Sequence, residues 1–372
     1  MSHAAITGTG VFTPPHVITN DELVAAFNAY ADLYNAENAD AIAAGDTGAK
    51  AHSSSAFIVN ASGIQQRYVM EKAGILDPQV MHPLLEPRTD DQPSLMAEMA
   101  LDACQKALMQ AGRAPGDVDL IICAASNHER AYPAIAVEIQ QLLDAHGFAF
   151  DMNVACSSAT FGMQAAADMI RAGSARCAIV VNPEICSAHL EWRDRDCHFI
   201  FGDVCTAAVL EPEDAAKGAH FRILSTRCAT QFSNNIRNND GFLRRAHGQM
   251  QDRRDMQFMQ EGRRVFKEVL PLVAGHIADH LAAENTPADS LKRLWLHQAN
   301  KAMNDFIGRK VMGRTPTPQE QPNILQDYAN TSSAGSIIAF AQNSDDMIPG
   351  ERGLICSFGA GYSVGSVLVE RA

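Results

Sequence analysis

The 372-residue sequence holds no apolar run long enough to cross a bilayer, so no membrane span is expected. Its N-terminus, Met1-Ser2-His3-Ala4-Ala5, lacks the basic start and following apolar stretch of a signal peptide, and none is expected. Basic charge is short as well: 30 Lys and Arg face 43 Asp and Glu, a formal net charge of −13. That balance excludes a general nucleic-acid binder, because phosphate contacts need a basic face, and any anionic partner must dock on a local basic patch against the overall field. No CxxC pair occurs among the nine cysteines, an odd number without framework spacing, which fits a reducing cytoplasm better than a disulfide scaffold. Cys186, His189, Cys197, His198 and Cys205 lie close in sequence, but their spacing matches no common zinc module, and no metal is expected. Gly8-Thr9-Gly10 follows a strand-like run without the third glycine of a dinucleotide fingerprint, which argues against a Rossmann site.

What is present is a globular α/β pattern. With 47% hydrophobic and 20% charged residues the chain is not mainly disordered, and its length suits two domains or one large duplicated unit. Strand-like runs at 4–12, 118–125, 148–155, 175–181 and 204–210 alternate with helices at 92–111 and 133–143. In the helix at 92–111, Leu95, Met99, Ala103 and Leu108 share one apolar face, and Gly112 is its stop. The second part repeats the grammar: a strand at 220–226, a long helix at about 254–283 bent by Pro271, a strand at 291–296, helices after Asn300 and after Asn330, and strands at 353–357 and 362–369. A strand that ends in a polar, reactive residue and then a helix occurs twice, which suggests duplicated halves, 1–216 and 217–372. Two stretches read as inserted: 29–55, poor in core-forming residues, as a surface excursion or lid, and 231–252 as a polar loop.

Cys156 stands in Asn153-Val154-Ala155-Cys156-Ser157-Ser158-Ala159, where an extended run turns abruptly into a helix rich in small side chains. A thiol at a helix N-terminus feels unpaired N–H groups and the positive end of the macrodipole, which should lower its pKa by about one unit or more. A buried structural cysteine is the plain alternative. Two further segments weigh against it: Leu294-Trp295-Leu296-His297-Gln298-Ala299-Asn300 and Tyr328-Ala329-Asn330-Thr331-Ser332-Ser333-Ala334-Gly335 each set a polar residue where a strand or loop meets a helix. Alone, His297 could be a satisfied strand-end histidine and Asn330 a helix cap. Together with Cys156 they form a Cys, His, Asn set in chain order.

The words Asn153-Val154-Ala155-Cys156, Phe201-Gly202-Asp203, His297-Gln298-Ala299-Asn300, Asn330-Thr331-Ser332 and Phe358-Gly359-Ala360-Gly361, in this order, resemble those of the β-ketoacyl-acyl carrier protein synthase III family within the thiolase superfamily. The resemblance covers nearly the whole chain apart from the inserted stretches. It implies a thiolase-like five-layered α-β-α-β-α fold from two duplicated halves, a homodimer, and decarboxylating Claisen condensation of an acyl thioester with malonyl-acyl carrier protein. No cofactor is implied, since acyl-CoA and malonyl-acyl carrier protein are substrates.

By the same resemblance, Cys156 attacks the acyl-CoA thioester, and the N–H groups of Cys156 and Ala360 form the oxyanion hole. His297 and Asn330 would then stabilise the enolate left by decarboxylation. An amide lacks useful basicity, so a His/Asn pair suits decarboxylation better than direct proton abstraction. Tyr132 matches an acyl-pocket gate contributed to the partner subunit, and Arg195 a basic residue at the coenzyme A entrance. Lys267, Arg309 and Lys310, with Arg263 and Arg264 nearby, match a patch that receives acyl carrier protein. Three positions depart from the family: Phe57 replaces an adenine-stacking tryptophan, Ala61 a basic residue and Ala302 an arginine. Coenzyme A recognition should therefore differ: weaker binding, use of the inserted segment, or replacement by a carrier-bound acyl donor. A close rival is an acyltransferase or non-decarboxylative condensing enzyme that uses the same acyl-cysteine. A non-catalytic subunit that only binds acyl carriers is a third reading, opposed by the intact triad.

Overall fold

A computed structural model of the chain describes residues 3–241 and 253–372. Its strands are β1 (Ala4–Phe12), β2 (His16–Thr19), β3 (Gln66–Val69), β4 (Leu120–Ala124), β5 (Phe148–Met152), β6 (Ala178–Glu184), β7 (Val204–Pro212), β8 (Phe221–Ser233), β9 (Ile236–Arg237), β10 (Met259–Gln260), β11 (Leu291–Leu296), β12 (Arg352–Gly359) and β13 (Gly361–Arg371). The helices are α1 (Asn20–Glu37), α2 (Ala39–Ala44), α3 (Ser55–Ser62), α4 (Ala73–Leu76), α5 (Leu95–Ala111), α6 (Ile135–Leu143), α7 (Ser158–Arg171), α8 (Gly262–Ala283), α9 (Lys301–Met312), α10 (Leu325–Tyr328) and α11 (Gly335–Gln342).

Nine strands run in the order β11-β12-β13-β8-β1-β7-β6-β4-β5. The seam lies between β1 and β8, where only Ala5 faces Arg222 and Ile6 faces Phe221. On either side of it the sheet divides into two lobes, and α7 and α11 touch strands of both, so they form a central layer. The outer helices α5 and α6 cover the lobe of β4–β7, and α8 and α9 cover the lobe of β11–β13. The result is the expected five layers.

The core follows the same division. Met163 and Ala166 of α7 meet Trp295 and Phe340 in the middle, while Met99 and Ile121 fill one outer interface and Val269 and Ile277 the other. The parallel strands β4 and β6 are buried along their whole length, which explains the unbroken apolar sequence of β4 and the apolar first half of β6, Ala178 to Val181. A Cβ on Gly8 or Gly10 would collide with the carbonyl oxygens of Ala107 and Ala103 on α5. The Gly-Thr-Gly word thus serves close strand–helix packing.

Helix α5 stops at Gly112 as expected, left-handed at φ 63°, but starts at Leu95 and not at Gln92, because the Ser94 hydroxyl accepts from the Ala97 N–H at 3.3 Å and caps it there. Helix α8 begins at Gly262, later than the periodicity suggested. Before it, the Phe258 N–H donates to the His189 carbonyl at 2.8 Å and the Glu261 N–H to that of Asn235 at 2.8 Å, so tertiary pairing holds this stretch out of the helix. Pro271 lies inside α8 without ending it. Strand β8 is longer than its pattern indicated because β13 pairs with it as far as Ser233. The loop expected at 231–252 therefore opens as strand, and its part at 242–252 lies outside the described residues.

The stretch at 29–55 is more ordered than an excursion. Helix α1, closed by a Thr19–Glu22 capping box, runs into it. Residues 47–53 then fold back along α1 as a strap. Asn28 exchanges two hydrogen bonds with the Ser53 backbone, at 3.2 and 2.8 Å, and Asn35 two with that of Lys50, at 2.9 and 2.8 Å. Between them His52 Nε2 meets Asp32 at 2.7 Å. Asn28, Asp32 and Asn35 lie on one helix face, the spacing that lets a single helix hold an extended strap.

Candidate active site

Cys156 follows β5 in a tight loop. Asn153 Nδ2 donates to the Ser126 carbonyl at 2.8 Å, while its Oδ1 accepts from the Ala155 N–H at 2.9 Å. Ala155 is forced to φ 47°, a left-handed conformation that costs an alanine about 1–2 kcal/mol. The turn closes through Ser157 N–H to the Val154 carbonyl at 3.0 Å, and α7 starts only at Ser158. Cys156 accordingly precedes the helix instead of capping it. Burial dominates its electrostatics and pushes the thiol up to about 11, with the Glu184 charge adding to the rise. Opposing this, Ser332 Oγ donates to Sγ at 3.4 Å, and the Ala360 and Cys156 N–H groups also favour the thiolate. The lowered pKa expected from the helix dipole is therefore overturned, because desolvation of the sulfur outweighs the donors around it.

His297 ends β11. Its N–H donates to the Cys356 carbonyl at 2.7 Å, and Phe358 meets its ring edge-on at 5.1 Å. Burial pushes the imidazole down to about 4, so it is neutral at physiological pH, with the Ser332 backbone offsetting this only in part. Nδ1 is fully buried, which leaves Nε2 as the nitrogen able to serve the cavity that the ring lines.

Asn330 is seated by Phe201-Gly202-Asp203. The Gly202 N–H donates to the Asn330 carbonyl at 3.1 Å, and the Asn330 N–H donates to that of Ile200 at 3.0 Å. Gly202 has no room for a Cβ, which would come within 2.5 Å of the Tyr328 carbonyl. The Asn330 side-chain oxygen accepts from the Ser332 N–H at 2.9 Å, so the amide turns its Nδ2 donors elsewhere. Ala329 at φ 56° and Ser332 at φ 49° flank it, so strained backbone brackets Asn330 as it precedes Cys156.

Glu184, which the sequence reading passed over, ties the two loops together. It accepts from the Ser126 N–H at 3.0 Å and Oγ at 2.5 Å, and from the Ser333 N–H at 3.2 Å and Oγ at 2.5 Å. Ser126 holds Asn153 beside Cys156, and Ser333 belongs to the Asn330 segment. Burial raises the Glu184 carboxyl to about 7 against these four donors.

Cys156, His297 and Asn330, from three separate parts of the chain, line one cavity of about 540 Å³. Its walls are apolar, with Phe199, Phe201, Phe258, Val265, Phe266 and Met303, and Phe57, Ala61, Arg263 and Asn300 also line it. Gly359 closes against the sulfur: an added Cβ would lie 2.6 Å from Cys156 Cβ and 3.0 Å from Sγ. Gly359→Ala should slow alkylation of Cys156 by iodoacetamide on the order of 10²-fold by displacing the thiol, measured as the rate of mass gain. An unchanged rate would contradict this geometry.

The buried titratable groups also set a pH dependence. Burial lowers His189, His198, His280 and His297 to about 4, so their contribution to stability is complete above pH 6.5 and is lost as pH falls through 4. Glu184 and Asp203, raised to about 7 and about 6, act oppositely: their contribution is present at low pH and lost as pH rises through those values. The four imidazoles outnumber the two carboxyls, so the melting temperature should fall as pH drops from 6.5 to 4, and Glu184→Gln should steepen the fall. A flat melting profile over that window would contradict the prediction.

The other residues singled out from sequence distribute as follows. Arg195 stacks over the Phe57 ring at 4.2 Å, and Phe57 meets Phe199 edge-on at 5.7 Å, so the two entrance residues are brought together. Tyr132 is 82% exposed and does not line the cavity. Lys267, Arg309 and Lys310 are exposed and, among the described residues, form no ion pair within 4.0 Å. They do not line the cavity either: Arg309 lines a separate groove beside α9 with Lys301, whereas Arg263 does reach the cavity. Cys186, His189, Cys197, His198 and Cys205 form no metal-ligand group among the described residues. Cys123, His128 and Asp151 do come together, but Asp151 already accepts from the Ile135 and Ala136 N–H groups, each at 2.8 Å. Among the described residues no helix is long and apolar enough to cross a membrane.

Comparison with known proteins matches this arrangement. The family described as 3-Oxoacyl-[acyl-carrier-protein (ACP)] synthase III matches residues 150–231, which include Cys156, and its C-terminal counterpart matches residues 281–371, which include His297 and Asn330. A beta-ketodecanoyl-[acyl-carrier-protein] synthase of Pseudomonas aeruginosa is 55% identical over 347 residues, covering 93% of this chain and 99% of its own length. The beta-ketoacyl-[acyl-carrier-protein] synthase III of Granulibacter bethesdensis is 30% identical over 380 residues, covering all of both chains. In structure, the 3-oxoacyl-[acyl-carrier-protein] synthase III of Aquifex aeolicus superposes with a TM-score of 0.77 at 23% identity, covering 99% of each chain. The chain therefore belongs to the 3-oxoacyl-[acyl-carrier-protein] synthase III family of condensing enzymes.

Proposed function

We propose that this enzyme condenses a medium-chain acyl-CoA with malonyl-acyl carrier protein, through an acyl thioester on Cys156. The observation that carries the reading is the convergence of Cys156, His297 and Asn330 on one apolar cavity. In the first step Sγ bonds to the donor carbonyl carbon, the carbon–sulfur bond to coenzyme A breaks, and the Cys156 proton ends on the departing sulfur. No net charge is left behind. The N–H groups of Cys156 and Ala360, which favour a negative sulfur at rest, are the donors for the oxyanion of the tetrahedral intermediate. In the second step malonyl-acyl carrier protein loses carbon dioxide. His297 Nε2–H and Asn330 Nδ2–H would donate to the resulting enolate oxygen; the enolate carbon bonds to the acyl carbonyl carbon, the acyl carbon–Sγ bond breaks, and the departing Cys156 thiolate takes a proton from solvent to return to the resting thiol.

The name of the relative at 55% identity supports the chain length: a ten-carbon β-ketoacyl product less the two carbons from malonyl leaves a donor of eight carbons. The aromatic and aliphatic cavity walls suit such a chain. The edge strand β5 pairs with β4 alone and leaves Phe148 43% exposed, near in sequence to the exposed Tyr132, which favours a homodimer in which Tyr132 reaches the partner's acyl pocket. Lys267, Arg309 and Lys310, with Arg263, offer a basic face to an acidic carrier protein. Two structural halves, 1–216 and 217–372, would supply the nucleophile and the His/Asn pair respectively. The nine free cysteines fit a reducing, cytoplasmic setting. A series of acyl-CoA donors, followed by intact mass, should acylate Cys156 fastest at about eight carbons. A preference for acetyl-CoA would reject the chain-length assignment.

A further inference from the structure

The strap at 47–53 builds a second hollow, of about 440 Å³, beside the catalytic cavity. Lys50 lies over two rings, its Nζ 4.7 Å from the Tyr34 centroid and 5.4 Å from that of Tyr30. Arg193 also lies over the Tyr30 ring, 5.4 Å from its centroid. Arg195 and Arg254 complete the basic lining, against Glu191 and Asp194. Asp194 is engaged by Arg254 at 3.2 Å. Four cations against two carboxylates make this a local positive patch on a chain whose formal net charge is −13.

The hollow is held in place from several directions. Arg195 Nε donates to the His52 carbonyl on the strap at 2.8 Å, and Arg193 donates to the Gln79 and Val80 carbonyls, each at 3.1 Å. Asn35 fixes the backbone of Lys50 at both its N–H and its carbonyl. Cations and rings are thus set before any ligand arrives. Arg195 also joins the two spaces, since it lines the hollow while its guanidinium covers Phe57, which lines the catalytic cavity.

We propose that this hollow binds the phosphorylated adenosine end of an acyl-CoA, with Tyr30 against the adenine and Lys50, Arg193 and Arg195 on its phosphates. Aromatic faces beside fixed cations suit a base linked to phosphates. The placement beside the cavity suits a ligand whose thioester end lies at Cys156, and in that respect the proposal rests on the acyl-CoA donor proposed above. It also assigns a task to the strap in a chain that carries Phe57, Ala61 and Ala302 at the positions noted in its sequence.

The test uses three acyl donors of one chain length: acyl-CoA, acyl-pantetheine, which lacks the nucleotide, and the acyl carrier protein thioester. Lys50→Glu should raise the KM of acylation by acyl-CoA roughly tenfold or more. Acylation by acyl-pantetheine should be unchanged. Titrated calorimetrically, adenosine bisphosphate should bind wild type and lose affinity for Lys50→Glu, a readout that does not depend on turnover. Parallel loss with acyl-CoA and acyl-pantetheine, loss confined to the carrier-protein donor, or unaltered bisphosphate binding would each overturn the proposal. If acyl-CoA and acyl-pantetheine both fail to acylate wild-type Cys156, the donor reading fails instead, and the calorimetric result still decides the hollow.

Discussion

Replacing Cys156 with alanine is expected to abolish condensation, by on the order of 10⁴-fold or more, because no other group can carry the acyl chain. Ser157 and Ser158 are adjacent but committed: Ser157 Oγ bonds Ser363 Oγ at 2.9 Å, and Ser158 Oγ meets the Ala155 carbonyl at 2.7 Å. The substitution removes one sulfur from a partly buried loop fixed by Asn153 and Glu184, so the fold should persist, visible as a retained cooperative melt. His297 and Asn330 remain in place in this variant. Slow release of carbon dioxide from malonyl-acyl carrier protein should therefore survive in Cys156→Ala although no acyl-enzyme forms. Acylation that persisted in the variant would place the nucleophile elsewhere.

His297→Ala and Asn330→Ala should give the converse result. Each removes one of the donors proposed for a negative oxygen in an apolar-walled cavity, a loss on the order of 10²–10³-fold in decarboxylation. Acylation of Cys156 should continue in both, because the oxyanion donors proposed for it are the backbone N–H groups of Cys156 and Ala360. For Asn330 the amide's orientation is decisive, since its oxygen is occupied by the Ser332 N–H. Asn330→Asp should therefore be as damaging as Asn330→Ala: it keeps the acceptor and replaces the donor with a negative charge. Labelled carbon dioxide release and intact mass, measured on the same variants, separate the two steps. Loss of both steps together in each variant would contradict this division of labour. A wild-type enzyme that condensed acyl chains without releasing carbon dioxide would favour the non-decarboxylative rival.

The Cys156, His297 and Asn330 segments were legible in the sequence because reactive side chains sit at junctions of regular elements, where pattern is easiest to read. The layered fold was legible for a similar reason: β4 and β6 are buried throughout and α5 is cleanly capped. The state of the thiol was not. A helix terminus is visible in sequence, but burial is a tertiary property, and burial decides that Cys156 rests as a thiol at about 11. The strained backbone was equally hidden, because Ala155, Ala329 and Ser332 carry no glycine to signal positive φ.

Glu184 escaped notice because nothing in the end of a buried strand marks a carboxylate whose four donors come from two distant loops. The stretch at 29–55 is poor in core residues, as its composition indicates, but its folding back along α1 is not legible in sequence, since amide clamps, not apolar residues, hold it down. In the same way Phe258 fits the helical period of α8 yet is drawn out of it by His189. A one-dimensional period cannot anticipate a competing hydrogen bond from far along the chain.

The most direct trial of the account is to mix wild-type enzyme with a medium-chain acyl-CoA, without malonyl-acyl carrier protein, and locate the bound acyl group by peptide mass. The account predicts one acyl group per chain, on the peptide that carries Cys156. An acyl group on any other residue, or none at all, would contradict it.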